Sequence, residues 1–277
     1  MEDSSRNCDK IKWRKINYIM EKLKCVAIVT ALTPGTYAFE MLIVRPKLVE
    51  MYEVGFAKHL LHVFLSTFCF INVFGNMMLG IFTDTTLKDS IKSGGSYCHL
   101  CRIRRPETAW HCKKCDVCIL RRDHHCTFFS RCIGLHNQRY YILFIAYSLI
   151  SMIYGSYYNY YFISSKFEDY GFTVSLLRIL NPVFRNIIPE PLDYRDLYVF
   201  YWLFNMGMTL WLGFLLWFHL SNALRGITPY QRSRSKIGKS KIWKENLLRV
   251  FGQKWYIAIL WPLANSDLPL EYSEEEL

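Results

Sequence analysis

Residues 121–132, RRDHHCTFFSRC, place two adjacent histidines between an aspartate and a cysteine. An imidazole beside a thiol can take its proton and make it nucleophilic, and a carboxylate on the other ring nitrogen fixes the imidazole tautomer. Cysteine and histidine are also the ligands that zinc prefers in proteins. Asp123, His124, His125 and Cys126 are therefore candidates for nucleophilic catalysis, for metal binding, or for a division between the two.

Seven of the ten cysteines lie between residues 98 and 132. Two pairs, Cys98-x2-Cys101 and Cys112-x2-Cys115, each place two thiolates on one tight turn. Such a turn suits a tetrahedral zinc ion with Zn–S bonds of about 2.3 Å. The segment has little apolar periodicity, so that bound metal would supply much of its folding free energy. The spacing predicts zinc sites in this segment rather than disulfides.

The number of donors indicates that one thiol is left over. Two zinc sites of the Cys3His type would use six cysteines and two histidines, and the segment contains seven cysteines and several histidines. A closed structural zinc site has no open position. The remaining cysteine, with an unused histidine beside it, is therefore a candidate pair of nucleophile and base.

Long apolar stretches flank the cysteine-rich segment. Of the 277 residues, 52% are hydrophobic and 17% are aromatic. Four stretches reach the ~20 mostly apolar residues that cross a bilayer: Cys25 to Val44, Leu60 to Phe82, Tyr140 to Ile163 and Leu197 to Leu220. One such stretch could be a buried helix of a soluble protein, but four in a short chain predict a polytopic membrane protein.

Lysine and arginine are distributed unevenly between these stretches. Seven precede the first stretch, eleven lie in 83–139 and nine follow residue 220, against three in 45–59 and four in 164–196. Because cytosolic segments carry the excess of positive charge, both termini and the central segment are expected in the cytosol. This bias, together with the attraction of basic segments to anionic cytosolic lipid, accounts for most of the net charge of +11. A nucleic-acid partner is therefore not needed to explain it.

These observations predict an all-α polytopic membrane protein with four transmembrane helices and a cytosolic zinc-bound Cys-rich domain between helices two and three. In the reducing cytosol, clustered cysteines are typical of metal ligands or catalytic thiols. The N-terminal segment lacks the pattern of a cleaved signal peptide. The predicted organisation is a cytosolic segment 1–24, helices one and two in 25–82, the Cys-rich domain 83–139, helices three and four in 140–220 with a luminal loop 164–196, and a cytosolic tail 221–277.

At these residues the chain resembles the DHHC protein S-acyltransferases, or palmitoyltransferases. The resemblance covers the Cys-rich segment from about 98 to 141, including the intact Asp-His-His-Cys sequence at 123–126, the four-span layout and short motifs in the tail. It implies two interleaved zinc ions, one held by Cys98, Cys101, His111 and Cys118, the other by Cys112, Cys115, His125 and Cys132. It also implies that Cys126 is the acylated nucleophile, that His124 is its base and that Asp123 orients His124.

This division of roles is physically reasonable, because neighbouring side chains in an extended stretch point in opposite directions. His125 can bind zinc while His124 faces the reaction site, so that the metal positions the backbone rather than acting as a Lewis acid. The alternative is that Asp123 and His124 only support the zinc ligands.

The resemblance implies a two-step thioester exchange at the cytosolic membrane face. Cys126 would take a palmitoyl group from palmitoyl-CoA and pass it to cysteines of membrane-associated substrate proteins. The spans would enclose the acyl chain, which is costly to expose to water at ~0.8 kcal/mol per CH₂. Arg121 and Arg122 are candidates for binding the CoA phosphates. The expected location is an endomembrane, the endoplasmic reticulum or the Golgi.

Two departures from the family pattern stand out. Thr127-Phe128 follows the Asp-His-His-Cys sequence where the family usually has Pro-Trp, and Thr228, Pro229 and Gln231 stand in for a Thr-Thr-x-Glu motif. Asn246 to Gly252 resembles a further tail motif. The departures motivate one alternative, a family member that has lost catalysis and acts as a binding partner. A zinc-organised adaptor or ubiquitin-ligase-like module on a membrane anchor is a second.

Overall fold

The structure is a computed structural model that describes residues 19–20, 23–24, 26–53, 55–90, 94–167, 171–187, 194–233 and 243–268. Most of the predicted N-terminal segment lies outside the described residues, as do Cys25 and the end of the tail.

Four long helices carry the predicted spans: α1 (Val26–Tyr52), α2 (Phe56–Phe82), α3 (Gln138–Ser164) and, after two short helices, a fourth over Tyr194–Leu224. Each is long and apolar enough to cross a membrane, which confirms the predicted layout. The first helix continues to Tyr52, beyond the apolar stretch that ends at Val44, because Leu48 in the added turns packs into a core with Val44. A π-helical turn, Glu40–Val44, interrupts α1.

Short helices complete the described chain. Between α3 and the fourth span lie α4 (Gly171–Leu180) and α5 (Pro182–Ile187), so that the span Tyr194–Leu224 is α6. The tail contains α7 (Pro229–Ser233), α8 (Trp243–Phe251) and α9 (Trp255–Leu260).

The cysteine-rich segment forms three short antiparallel hairpins. They are β1 (Ser96–Cys98) with β2 (Ile103–Arg105), β3 (Trp110–Cys112) with β4 (Val117–Ile119), and β5 (His124–Cys126) with β6 (Arg131–Ile133). The all-α description therefore holds for the spans and the tail but not for this segment. Isolated short hairpins are marginally stable, which agrees with a domain organised around metal ligands.

The chain divides into two compact units. The first contains residues 1–33, 72–144 and 217–277, and the second contains 34–71 and 145–216. A core cluster of the first unit joins Leu87, Cys98, Ala109, Cys118, Leu120 and Leu135. A core cluster of the second unit joins Val44, Leu48, Phe162, Ile163 and Val199. The three hairpins, the C-terminal end of α2, the first turns of α3, the last turns of α6 and the tail all belong to the first unit.

Two contacts attach the third hairpin to the end of α2 within the first unit. The buried Asn137 side chain accepts a hydrogen bond from Gly134 N and donates to Gly80 O and Cys132 O, at 2.8, 3.2 and 3.0 Å. The fully buried Phe129 ring lies against Gly80, where a Cβ atom would come within 2.2 Å of it. These contacts hold the hairpin that carries Cys126 against a long helix.

Candidate active site and metal centres

The eight predicted zinc ligands lie in two separate groups. One group contains Cys98, Cys101, His111 and Cys118, and the other contains Cys112, Cys115, His125 and Cys132. Within each group, one donor atom from every residue lies within 4.8 Å of all the others. The grouping is the interleaved one that the family resemblance implies, with each group drawing ligands from two hairpins.

The register of the hairpins explains why each histidine lies next to a cysteine. His111 pairs with Cys118 across β3 and β4, and His125 pairs with Cys132 across β5 and β6. Side chains of directly paired residues lie on the same face of a hairpin. Each pair is therefore half of a four-ligand site, and a Cys-x2-Cys turn of the preceding hairpin supplies the other half.

Left-handed backbone conformations shape these turns. Arg102 and Asp116, which follow the second cysteine of each Cys-x2-Cys pair, have φ of 57° and 58°. Their amides donate to Cys98 O and Cys112 O, at 2.8 and 2.7 Å. Neither residue is a glycine, so each turn holds a conformation that costs free energy in an L-residue. A metal bound by both thiolates would stabilise such a turn.

The donor separations fit a tetrahedral zinc ion. In the second group, His125 Nδ1 lies 3.2 Å from Cys115 Sγ and 3.7 Å from Cys112 Sγ and Cys132 Sγ. In the first group, His111 Nδ1 lies 3.3 Å from Cys101 Sγ. Zn–S bonds of about 2.3 Å and Zn–N bonds of about 2.1 Å place donors roughly 3.6–3.8 Å apart in a tetrahedron. Both groups can therefore hold zinc, with no protein ligand left to add.

Cys126 belongs to neither group. It lies on β5, where alternation places it on the same face as His124 and opposite to His125. Its side chain is buried, with 5% of the residue exposed, whereas His124 is partly exposed. A thiol and an imidazole therefore share one strand face beside the second group of ligands.

Asp123 is held by residues from two helices as well as by His124. His124 Nδ1 donates to Asp123 Oδ1 at 2.9 Å, and Gln138 Nε2, at the start of α3, donates to Oδ2 at 3.2 Å. Nδ1 of His219, on α6, lies 3.6 Å from Oδ1. Because an ionised carboxylate only accepts hydrogen bonds, Nδ1 of His124 carries the proton and Nε2 has a free lone pair. His124 is thus in the tautomer that a general base requires.

The electrostatic environment keeps Asp123 ionised. Burial alone would raise the pKa of this carboxyl, but hydrogen bonding to His124 and the nearby His219 ring lower the pKa to about 2. Only 4% of the residue is exposed to solvent. The carboxylate is therefore a buried negative charge that faces two imidazoles, as in sites where a carboxylate orients a catalytic histidine.

His219 and Tyr141 are the residues of this cluster that sequence reasoning missed. The two side chains are buried, and Tyr141 Oη lies 3.3 Å from His219 Nε2. Their rings pack around His124, with centroids 4.9 Å away for Tyr141 and 5.1 Å away for His219. An ionisable residue within a membrane span is itself a sign of function, and this signal could have identified His219.

The two arginines that precede Asp123 are in different environments. Arg121 is only 2% exposed, which does not favour contact with a CoA phosphate. Arg122 is half-buried, and its guanidinium lies 5.9 Å from the centroid of the Tyr230 ring. Burial lowers the pKa of Arg122, but hydrogen bonds to Cys132 and Cys112 raise it above its usual value. Arg122 can therefore stabilise thiolates of the second ligand group.

Two aromatic residues, Phe128 and Phe129, follow Cys126 closely in the sequence, and only the second is buried. Phe128, which stands at the family's tryptophan position, is 59% exposed. Phe129 is fully buried, and its ring packs edge-on against Tyr141 and Phe144, with centroids 5.7 and 5.4 Å away. The loss of tryptophan at 128 therefore leaves the packing beneath the hairpin intact.

The altered threonine motif forms a helix cap. Thr228 N donates to Gln231 Oε1 at 2.9 Å, and Gln231 N donates to Thr228 Oγ1 at 3.2 Å. This reciprocal pair is a capping box in which Gln replaces Glu. Pro229 occupies the first position of α7, where its missing N–H is not needed. The substitutions keep this cap.

The tail motif also packs against the end of α6. The buried Asn246 donates to Leu224 O at 2.9 Å, and its side chain fills the space beside Gly226, where φ is +70°. Phe251 is buried, and Gly252 follows it with φ of +81°. A Cβ at Gly252 would lie within 2.3 Å of Ser266 Oγ, which explains the need for glycine.

Comparison with known proteins agrees with this site. The family model described as DHHC palmitoyltransferase matches residues 91–236, more than half of the chain. The chain therefore belongs to the DHHC palmitoyltransferase family, which confirms the resemblance noted in the sequence. Membership supports protein S-acyltransferase activity.

Two relatives match over most of their length, and a third matches over a short segment. A probable palmitoyltransferase ZDHHC24 of Rattus norvegicus is 26% identical over 215 residues, which cover 76% of each chain. Palmitoyltransferase ZDHHC22 of the same species is 27% identical over 248 residues, 87% of this chain and 90% of the relative. Palmitoyltransferase ZDHHC2 of the same species is 46% identical over 54 residues, 20% of this chain and 15% of the relative.

Proposed function

We propose that this protein transfers a palmitoyl group from palmitoyl-CoA to cysteines of membrane-associated proteins, through a thioester on Cys126. One observation carries the proposal. Cys126 is the cysteine of the hairpins that joins neither ligand group, and it shares a strand face with His124, whose other nitrogen is held by Asp123 at 2.9 Å. The family to which the chain belongs supports the same chemistry.

In the first step, His124 Nε2 takes the proton of the Cys126 thiol, and the thiolate attacks the acyl carbonyl of palmitoyl-CoA. The new C–S bond to Cys126 forms as the C–S bond to CoA breaks, and CoA leaves as a thiol with the proton from His124. In the second step, the thiol of the acceptor protein loses its proton to His124 and attacks the acyl-enzyme. Cys126 is released and accepts this proton, so that ping-pong kinetics follow.

Asp123 acts by orientation and charge. Its carboxylate fixes the tautomer of His124 and stabilises the imidazolium that forms in each step. Gln138 and His219 are proposed to hold this carboxylate, one at each oxygen. Arg122 remains a candidate contact for the CoA phosphates, whereas the burial of Arg121 counts against that role.

The two ligand groups are proposed to bind one structural zinc ion each. Bound zinc would cross-link the hairpins and fix the backbone that carries His124 and Cys126. With three cysteines and one histidine in each group, each ion is saturated by protein ligands, so its role is structural.

The distribution of lysine and arginine supports a topology in which segments 1–24, 83–139 and 221–277 are cytosolic and the loop 164–196 is luminal. Cys126 would then lie at the cytosolic membrane face. We also propose that the protein resides in the endoplasmic reticulum or the Golgi. Imaging of the tagged protein against organelle markers tests this location.

Labelling with a clickable palmitoyl-CoA analogue tests the proposed reaction. The purified wild-type protein should take up label that hydroxylamine releases, because a thioester is cleaved by this reagent. Cys126→Ser should take up none, and the matched control Cys69→Ser, a change on α2 outside both ligand groups, should label like the wild type. Equal labelling of wild type and Cys126→Ser would reject the proposal.

A further inference from the structure

The second unit contains a cavity of about 360 Å³ between α1, α2 and α3. Its apolar wall includes Val44 and Leu48 from α1, together with the rings of Tyr157, Tyr158 and Tyr161 from α3. The volume is in the range of ligand-binding cavities. The catalytic residues described above belong to the other unit, so this cavity is a separate feature of the chain.

Another part of the cavity wall is basic. It is formed by Arg45, Lys58, His59 and His62, and none of the described residues that line the cavity is acidic. Two permanent positive charges thus face a partly enclosed space without a carboxylate among its lining residues. Such an arrangement favours an anion in the cavity.

Several nitrogen atoms of this wall lack a hydrogen-bond partner. Arg45 Nη1 donates to His59 Nε2 at 2.9 Å, because arginine has no acceptor. His59 Nε2 therefore accepts, and the ring proton lies on Nδ1, which is buried and unpartnered. Arg45 Nε is a second buried donor without a partner. Buried donors without acceptors are destabilising, and an anion that reached them after a small movement of the side chains would supply the acceptors.

His62 adds a third nitrogen. Its Nδ1 lies 2.6 Å from Tyr154 Oη, which donates to Tyr158 Oη, so that in the neutral ring Nδ1 donates and the buried Nε2, which has no partner, is an acceptor. An aliphatic chain alone would leave the charges of Arg45 and Lys58 without a counter-ion, so an acyl chain is a poor occupant for this wall. The cavity instead combines apolar side chains with the charges of Arg45 and Lys58, which fits a molecule that has both an anionic group and an apolar body.

The cavity lies close to the ends of its helices. Arg45 is within two turns of Tyr52, where α1 ends, and His62 is within two turns of Phe56, where α2 begins. At 1.5 Å per residue, these side chains start about 10 Å from the helix ends. This is the depth at which headgroups meet the hydrocarbon of a bilayer, and tyrosines are enriched there.

We propose that this cavity binds an anionic phospholipid of the leaflet at which the α1–α2 connection lies. The phosphate would be attracted by the charges of Arg45 and Lys58, and its oxygen atoms would accept from Arg45 Nε and His59 Nδ1 once a small movement of the side chains turns these buried nitrogens toward the cavity. The acyl chains would leave along Val44, Leu48 and the tyrosine rings. The proposal rests on the basic wall and its unpaired donors, and it is independent of acyl transfer by Cys126.

Native mass spectrometry of the full-length protein, delipidated in detergent, tests this site. Phosphatidylglycerol and phosphatidylcholine with identical chains are added in separate titrations. The wild type should bind phosphatidylglycerol at least about tenfold more tightly, since zwitterionic lipid carries no net charge for the basic wall to attract. Equal affinity for the two lipids would overturn the proposal.

Matched variants test whether phosphatidylglycerol binds at this cavity. Arg45→Gln should lose most of the preference for phosphatidylglycerol, whereas Lys47→Gln, an exposed change on the same helix at a residue paired with Glu50, should keep it. Lys58→Gln should reduce the preference and, because residue 58 is exposed, should fold even where Arg45→Gln does not. An undiminished preference in Lys58→Gln, or in a folded Arg45→Gln, contradicts the assignment.

Competition separates a lipid site from a site for free phosphate. Millimolar inorganic phosphate should leave bound phosphatidylglycerol in place, because the apolar wall adds to the affinity of the lipid. Displacement of the lipid by inorganic phosphate would assign the cavity to the small anion and overturn the lipid proposal.

Discussion

The two Cys/His ligand groups and the cluster of Asp123, His124 and His219 are built in different ways. All eight candidate metal ligands lie between Cys98 and Cys132, and the hairpin register brings the residues of each group together. The third cluster joins a hairpin residue, His124, with a histidine of the last long helix, and Gln138 of another helix holds the same carboxylate. One kind of site is local in sequence, and the other depends on helices that are distant in sequence.

The two kinds of site should therefore respond differently to substitutions. Loss of one ligand should release a metal ion and destabilise the short strands that the ligands join. Loss of a residue around Asp123 should change the position or charge of His124 while both metal ions stay bound. Zinc content and acyl transfer therefore report on different parts of the same hairpin.

His125→Ala should have the largest effect, because it removes a ligand from the second group. We expect the zinc content to fall from about two to about one per chain, with loss of acylation, since structural zinc contributes roughly 10–16 kcal/mol in small domains. Elemental analysis and limited proteolysis of residues 94–137 measure the two changes. A variant that retains both zinc ions would contradict the ligand assignment.

His124→Ala, the neighbouring substitution, should leave the metal sites intact. We expect acylation of Cys126 to slow by about 10²–10⁴-fold, the usual contribution of a general base, with unchanged zinc content. Single-turnover labelling at saturating palmitoyl-CoA measures the rate. Loss of zinc in this variant would favour the alternative in which His124 only supports the zinc ligands.

His219→Phe should have an intermediate effect. It keeps a ring of similar shape beside Asp123 but removes the imidazole nitrogens, and loss of such supporting partners typically costs about 10–100-fold. We expect a lower acylation rate with unchanged KM for palmitoyl-CoA and unchanged zinc. Trp217→Phe, on the same helix but 63% exposed, is the control and should behave like the wild type. A wild-type acylation rate in His219→Phe would show that His219 does not contribute to the reaction.

Gln231→Ala should have the smallest effect, because it removes one side of the capping box with Thr228. Loss of a helix cap costs about 1 kcal/mol, which lowers Tm by roughly 2–4 °C in a chain of this size. Gln231→Glu should keep the wild-type Tm, since glutamate also accepts the Thr228 amide hydrogen bond. Differential scanning fluorimetry measures both. If Gln231→Glu lowered Tm more than Gln231→Ala, the capping box would not explain the contribution of Gln231 to stability.

Much of the architecture follows from the sequence. Each of the four spans has an apolar stretch long enough to cross a bilayer, and the donor spacing from Cys98 to Cys132 leads to two four-ligand groups. The sequence did not reveal the three hairpins, because strands of three residues leave no periodic pattern. Nor did it reveal that Phe129, rather than Phe128, is the buried aromatic residue.

The sequence by itself determined the chemistry that is available: seven clustered cysteines, a histidine beside a thiol, and long apolar helices around them. Local spacing could do this because zinc ligands must lie within a few ångströms of each other and short turns satisfy that requirement. Only the tertiary structure decided what surrounds Asp123 and what lines the cavity near Arg45. His219 and Tyr141, like His59 and Tyr158, meet their partners through helix packing, which brings together residues that no sequence spacing relates.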